Sequence, residues 1–217
     1  MAAAVAMVVG LVGREPSVAG MTTLADRLLP TPGVTNAGSG KLRTCLLQVS
    51  PTAWFCFCQW QAADADWYAD SVHDLLIQRY TSEPPTLTTE QVRAAIAELA
   101  DQVEAVGFVV CDATRPAPEQ HRVARRRQDW RGQLLVAPSA RGRGVATRAL
   151  RLLSDWAFTA LKLSEIELWT HVDNAASRTV AERTRFRRAP DGDQQRTVKG
   201  QVWRTVGYIR PAPGCAT

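Results

Sequence analysis

Residues that commonly bind metals are scarce and scattered in this chain of 217 residues. The three histidines stand at positions 73, 121 and 171, and the five cysteines at 45, 56, 58, 111 and 215. No C-x-x-C pair or repeated spacing occurs among them, so no metal site is predicted. An odd number of cysteines without regular spacing is typical of free, buried thiols in a reducing compartment. We therefore expect a cytoplasmic protein.

Lysine is also rare. It occurs only at positions 41, 162 and 199, so arginine carries almost all of the positive charge behind the formal net charge of +5. Such a bias reflects codon composition as much as function, and nucleic acid is not an expected partner. The run Arg125-Arg126-Arg127 nevertheless keeps a basic nucleic-acid-binding protein as a rival interpretation. The charge does suit an anionic cofactor.

The chain has no long hydrophobic run. Its first twelve residues are apolar, but no Lys or Arg precedes them and they are too few to span a bilayer. Small, turn-forming residues fill 31–40. Residues 1–40 are therefore predicted to be a flexible N-terminal extension and linker, with Met21 as the more natural start, and no membrane partner is expected.

What the chain does contain is a turn rich in Gly and Arg, residues 139–144. It follows the apolar run 134–136 and precedes an amphipathic helix whose apolar positions recur at helical spacing: Val145, Ala149, Leu152, Leu153, Trp156 and Ala160. Glycine permits positive φ, and the free N–H groups at a helix start bind anions. Neither G-x-G-x-x-G nor G-K-[ST] is present, so the turn is interpreted as a diphosphate site of another kind, with a plain strand-to-helix turn as the alternative.

Periodicity and capping residues predict the remaining elements. A capping box, Thr88-x-x-Gln91, opens a helix after Glu83-Pro84-Pro85. Thr114 to Arg131, with two prolines and six arginines, is interpreted as a solvated basic loop, with a short irregular strand as the alternative. The other predictions are a helix over 67–80, a strand at each of 42–49, 107–111, 166–172, 184–188 and 201–209, and a disordered tail over 211–217.

Two motifs, in the right order and at the right separation, resemble a known family. Arg141-x-x-Gly144-x-Ala146 resembles the coenzyme A signature of the GNAT N-acetyltransferases. Residues 174–186 resemble the N-x-x-S-x-x-V-A-E-x-x-G-F block of their ribosomal-protein N-terminal (alanine/serine) acetyltransferase branch. The resemblance implies an α/β (α+β) fold over residues 41–210, with a mixed central sheet that is splayed between its fourth and fifth strands and flanked by helices.

The resemblance also implies the site residues. Acetyl-CoA would be the cosubstrate, with no metal, and would be held by Leu134, Leu135, Val136, Arg141, Gly142, Arg143, Gly144, Val145, Ala146 and Asn174. Amides near Leu135 and Val136 would meet the thioester oxygen, and Arg141 and Arg143 would add mobile positive charge. Ser177 would protonate the departing thiolate, because Ala181 fills the slot where many relatives have Tyr.

The general base has no clear equivalent. Gln133 lies where relatives often have Glu, which leaves Glu167 and His171 on one face of the fifth strand as candidates that act through water. An α-amine with a pKa of about 7.7–8.0 is partly neutral at physiological pH, unlike a Lys amine near about 10.4, so a weak base favours N-terminal α-amines.

We therefore expect an N-acetyltransferase whose partner is an amine acceptor such as a protein N-terminus, with a homodimer left open. A small-molecule amine acetyltransferase and a non-catalytic acyl-CoA-binding or interaction module remain alternatives. The chain departs from the family at Arg185, where Gly usually precedes the Phe. We expect that bulky residue to crowd a tight helix-to-strand turn.

Overall fold

The computed structural model describes residues 6–11, 45–48, 55–101, 108–112, 115–126, 129–160 and 162–214. The predicted linker over 31–40, Met21 and Cys215 lie outside the described residues. The described helices are α1 (Ala65–Val72), α2 (Leu75–Tyr80), α3 (Thr89–Asp101), α4 (Val145–Ala160) and α5 (Ala175–Arg183). Single 3-10 turns cover Ala62–Asp64, Pro138–Ala140 and Pro190–Gly192.

Within the described residues, ten strands form one sheet in the order β2-β3-β4-β5-β6-β1-β7-β10-β8, with β9 paired to β10. Its strands are β1 (Ala6–Leu11), β2 (Cys45–Gln48), β3 (Phe55–Gln59), β4 (Phe108–Asp112), β5 (Arg115–Arg126), β6 (Asp129–Leu135), β7 (Glu165–His171), β8 (Arg187–Arg188), β9 (Gln194–Val198) and β10 (Gln201–Pro211). The sheet is open and flanked by helices, as expected. It differs from the expected mixed sheet in that every described strand pair is antiparallel.

Two apolar clusters lie on opposite sides of β6. Leu134 belongs to the larger one, in which the buried face of α4 packs against Ile166 and Leu168 of β7. Its neighbour Leu135 packs instead into the cluster of α1, α2 and α3. This alternation places β6 between two helical layers, because successive strand side chains point to opposite faces.

The helix predicted over 67–80 is wrong in one respect, since it is two helices. The chain is extended at Asp74 (ψ 132°), whose carboxylate accepts the N–H groups of Leu76 and Ile77 and so caps α2. A cap satisfies N–H groups that have no partner inside the helix, and it starts a new helix in a second direction. The capping box at Thr88 and Gln91 is confirmed by its reciprocal hydrogen bonds of 2.9 and 3.3 Å.

The loop predicted from Thr114 to Arg131 is also wrong. Its described residues form β5 and the start of β6, a hairpin in which Arg126 pairs with Asp129. Strand β5 pairs with β4 as well, and the β4–β5 register shifts between Cys111 and Asp112, close to the two prolines of β5. Partners on both sides satisfy the backbone of a sequence with poor strand propensity, and prolines concentrate at such irregularities.

The N-terminal extension, predicted to be flexible, contributes β1 to the centre of the sheet. Residues 6–11 pair antiparallel with β6 and with β7. The predicted splay between two central strands is therefore the position of β1. The pairing of an apolar run with strands far along the chain leaves no local signal in the sequence.

The C-terminal end contains a further hairpin. Lys199 and Gly200, both with positive φ, connect β9 to β10 as the two-residue turn of a hairpin. Strand β10 continues to Pro211, and Ala212 donates to the carbonyl of Ser164 over 2.8 Å, so the tail predicted to be disordered is ordered as far as Gly214.

None of the described helices is both long and apolar enough to cross a membrane.

Candidate acetyl-CoA site

The Gly- and Arg-rich turn has the conformation that its glycines predict. The 3-10 turn at Pro138–Ala140 leads into residues 141–144, where φ is +77° at Gly142 and +73° at Gly144. Helix α4 follows directly for 16 residues. A Cβ atom at Gly142 would meet nothing within 4 Å, so this side of the loop is open. Because the first N–H groups of a helix have no acceptor within it, the loop and the start of α4 fit a diphosphate.

Arg141 does not supply mobile charge, which corrects the expectation from sequence. Its guanidinium donates to both carboxylate oxygens of Asp74, over 2.5 and 3.2 Å, and its side chain is only 5 % exposed. Burial alone would raise the pKa of Asp74, but the hydrogen bonds from Arg141 and from the amides of Ile77 and Leu76 outweigh it and lower that pKa. Arg141 therefore ties the loop to the cap of α2.

A second arginine, missed in the sequence, supports the loop from the other side. Arg148, one turn into α4, donates through its terminal nitrogen to the carbonyl of Arg143 and through Nε to the carbonyl of Gly144, the latter over 3.4 Å. These bonds engage two loop carbonyls, so Arg148 helps to fix the turn. Only its position four residues after Gly144 on the predicted helix could have indicated this contact.

The proposed thioester contacts lie on β6 and just after it. Leu134, Leu135 and Val136 are all at most 3 % exposed. Residue Ala6 of β1 pairs with Leu135, and Met7 pairs with Leu134. The loop at residues 141–144 is thus compatible with a diphosphate, whereas β1 lies along the stretch of β6 on which the thioester contacts are predicted.

Asn174 and Ser177 lie together at the start of α5. Asn174 caps α5, and its side-chain oxygen accepts the N–H of Ser177 over 3.1 Å. Asn174 is 2 % exposed and Ser177 is fully buried. Asn174 thus has a structural role as a helix cap, and the roles of both residues toward coenzyme A stay predictions.

Glu167 and His171 share one face of β7, opposite the buried Ile166, Leu168 and Thr170. Glu167 is exposed. The ring of His171 lies between Tyr80 and Trp203, with centroid distances of 5.6 and 5.4 Å.

The tautomer of His171 follows from its neighbour in the turn after β7. The N–H of Asp173 donates to Nδ1 of His171 over 3.1 Å. The neutral imidazole then carries its proton on Nε2, which suits a donor better than a base.

Residues missed by sequence reasoning cover the same region. The hydroxyl of Ser82 donates to the side-chain oxygen of Gln133 over 3.3 Å, while Nε2 of Gln133 is buried without a hydrogen-bond partner. Glu83 is 9 % exposed, and Lys199 donates to the backbone and side-chain oxygens of Gln78. Burial lowers the pKa of Lys199, and the charge of Glu83 partly opposes this shift. The segment after α2 thus brings polar groups toward β6 and the β9–β10 turn.

Comparisons with known proteins concern the domain and its fold. The model of a family described as acetyltransferase (GNAT) domain matches residues 55–187, which is more than half of the chain. The search among curated proteins gives no match.

Within the described residues, no group of three or more His, Cys, Asp or Glu side chains could hold a metal ion.

Solved structures share the fold at low sequence identity. RimJ of Mycobacterium smegmatis in complex with CoA-disulfide has 20 % identity and a TM-score of 0.62 over 73 % of this chain and 82 % of that one. Ribosomal-protein-S5-alanine acetyltransferase of Vibrio fischeri has 16 % sequence identity and a TM-score of 0.62, over 77 % of this chain and 98 % of that one. Spermidine N-acetyltransferase of Vibrio cholerae in complex with CoA and spermine has 17 % sequence identity and a TM-score of 0.62, over 73 % of this chain and 95 % of that one.

Proposed function

The chain belongs to the GNAT acetyltransferase family, and we propose that it transfers an acetyl group from acetyl-CoA to a protein N-terminal α-amine. The observation that carries this proposal is the loop at residues 141–144, with two glycines at positive φ directly before α4, inside the part of the chain that matches the family. This is a preformed anion site of the kind a diphosphate needs.

The reaction follows from the chemistry of a thioester. The neutral amine attacks the carbonyl carbon, the carbon–sulfur bond breaks, and coenzyme A leaves as a thiolate that takes up a proton. In our proposal, the amides near Leu135 and Val136 stabilise the oxyanion, and Ser177 donates the proton. Ser177 is shielded from bulk water by complete burial beside the cap of α5.

The base is assigned to Glu167, acting through water, rather than to His171. Glu167 is exposed on the open face of β7, whereas Nδ1 of His171 already accepts an N–H. A weakly placed base suits an α-amine with a pKa of about 7.7–8.0, because part of it is neutral without help. This preference supports an N-terminus over a Lys side chain as acceptor.

The proposal is tested by thiol release from acetyl-CoA with peptides that begin with Ser or Ala, with polyamines and with aminoglycosides. The expected result is turnover with the peptides. Turnover with polyamines alone would overturn the acceptor class but keep the family chemistry. Polyamines are included because the chain resembles a spermidine N-acetyltransferase in fold.

Cofactor binding is tested separately with Gly144→Ala. An added Cβ would lie 3.3 Å from a terminal nitrogen of Arg148, at a φ of +73° that L-residues rarely adopt. We expect calorimetry to show affinity for coenzyme A reduced by about tenfold or more, the scale of losing one or two phosphate hydrogen bonds.

Gly200→Ala is the matched control, because Gly200 has the same φ of +73° and open space but lies in the β9–β10 turn. It should bind coenzyme A as the parent chain does. Equal affinity in the two variants would contradict the loop as the diphosphate site.

A non-catalytic acyl-CoA-binding module is the second candidate, because Glu167 is exposed and Nδ1 of His171 already accepts an N–H, so neither candidate base is held in place. Such a module would be protected by coenzyme A against heat and would release no thiol with any amine. The same two measurements therefore separate the candidates.

A further inference from the structure

The strand β1 fills the sheet position that acetyl transfer would need. All six residues of β1 pair with β6, from Ala6 opposite Leu135 to Leu11 opposite Trp130. Val8, Val9 and Gly10 also pair with Trp169, Leu168 and Glu167 of β7. The two strands that would otherwise present edges to each other are joined into one continuous sheet.

This pairing engages backbone groups in the same stretch of β6 as the proposed thioester contacts. In an antiparallel ladder, alternate residues direct both N–H and C=O toward the neighbouring strand. Ala6 and Met7 stand opposite Leu135 and Leu134, so one of these two residues has its polar backbone groups engaged by β1. An extended pantetheine arm and β1 therefore exclude each other on β6.

Three observations indicate that β1 is an added strand. The family match begins at residue 55, so β1 lies outside the part of the chain that defines the domain. Residues 12–44 separate β1 from β2, which leaves ample chain for it to depart. Its pairing with β7 covers three residues, whereas β7 pairs with β10 over seven.

We propose that the gap between β6 and β7 is a binding site for an extended, apolar polypeptide strand, and that residues 6–11 occupy it until coenzyme A displaces them. The first strand is an internal competitive ligand. Unpaired strand edges attract such segments because each added residue satisfies free N–H and C=O groups. This inference rests on the proposed function, since the competition requires a coenzyme A site on β6.

Hydrogen exchange on the unmodified chain gives the first test. Without ligand, the amides of residues 6–11 should be protected. With saturating coenzyme A they should exchange faster, although ligand binding usually slows exchange, because β1 leaves the sheet. Exchange that is unchanged or slowed at residues 6–11 in the presence of bound coenzyme A would overturn the inference.

Variants of the full chain give the second test. Val9 lies where β1 is paired on both sides, so Val9→Pro removes an N–H and disfavours the strand, while Val9→Thr keeps the N–H and a β-branched side chain. We expect Val9→Pro to bind coenzyme A about tenfold more tightly, as when an occluded state limits binding, and Val9→Thr to match the parent. A synthetic peptide with the sequence of residues 5–12 should weaken that binding to Val9→Pro, and a scrambled peptide should not.

The outcomes separate this inference from the proposed function. Equal affinity for coenzyme A in all three chains, with no effect of the peptide, overturns the internal strand and leaves the enzyme proposal intact. No binding of coenzyme A by any chain overturns the proposed function and the competition with it. A thermal melt of Val9→Pro shows whether it is folded, and the exchange experiment needs no variant.

Discussion

The Gly- and Arg-rich loop at residues 141–144 follows β6, and the gap between β6 and β7 lies beside that strand, but the two are held in different ways. The loop is fixed by side chains, through the buried pair of Arg141 and Asp74 and the bonds from Arg148. The gap is closed by backbone pairing with β1. In the proposed function, the diphosphate of coenzyme A would meet a preformed loop, whereas its extended arm would first have to displace β1. The two halves of the cofactor would therefore differ in the free energy they contribute to binding.

The largest expected effect comes from removing the anchor of the loop. Asp74→Asn keeps an oxygen to cap α2 but leaves the guanidinium of Arg141, 5 % exposed, without its carboxylate. Breaking a buried pair costs about 3–5 kcal/mol, and because the side chain of Asp74 is 22 % exposed we expect about 2 kcal/mol from denaturant unfolding. The affinity for coenzyme A should fall as well, because the loop loses its preformed shape.

Asp66→Asn is the control for this variant. Asp66 pairs with Arg93 at 3.6 Å, with side chains 72 % and 47 % exposed, and exposed pairs contribute about 0.2–1 kcal/mol. Equal losses of stability in Asp74→Asn and Asp66→Asn would show that the loop is not anchored by its ion pair.

The loop, its helix and the cap of α5 were predictable because their determinants are local. Gly142 and Gly144 stand where the backbone needs positive φ, and Asn174 caps a helix that begins at the next residue. These features depend on neighbours within a few positions. The sequence therefore carries them in short motifs.

The gap and the anchor were not predictable, because their determinants are distant. Arg141 and Asp74 are 67 residues apart, and the residues of β1 pair with residues of β6 that lie 119 to 129 positions further along the chain. Whether a segment forms a strand depends more on its pairing partners than on its own residues. The arginine-rich sequence of β5 therefore predicts a loop, although β5 is a strand. A local pattern can show that a segment is apolar or basic, but it cannot show which edge that segment will join.

A smaller effect is expected at a second bidentate pair of arginine and aspartate, which tests whether burial gives the loop anchor its strength. Arg188 donates to both oxygens of Asp193 over 2.6 and 2.7 Å, and both side chains are about 40 % exposed. The hydrogen bond from Arg188, with that from the amide of Gly207, lowers the pKa of Asp193 to about 2.

The sign of the pH dependence at Asp193 follows from that pKa. The folded value lies below the unfolded value of about 3.9, so the contribution is complete above about pH 4 and is lost as pH falls toward 2. Solvent screening limits it to less than about 1 kcal/mol. Unfolding free energies at pH 2, 3 and 5 should fall less steeply with acidification in Asp193→Asn than in the parent, and equal slopes in the two chains would contradict this contribution.

The smallest expected effect is a gain of stability at the end of α5, in the block that carries the resemblance to the family. Arg185 has φ +68°, and the bonds from Phe186 to the carbonyl of Ala181 and from Arg185 to that of Glu182 form a Schellman motif, in which this position favours glycine. Arg185→Gly relieves about 1–2 kcal/mol of backbone strain in the folded state. Glycine also raises the conformational entropy of the unfolded chain, which offsets part of this, so we expect the free energy of unfolding to rise by about 0.5 kcal/mol. Arg183→Gly, two residues earlier in the helix, should instead lose about 1 kcal/mol. Thermal unfolding of the two variants should move in opposite directions, and a loss of stability in both would mean that the side chain of Arg185, rather than its backbone, decides this turn.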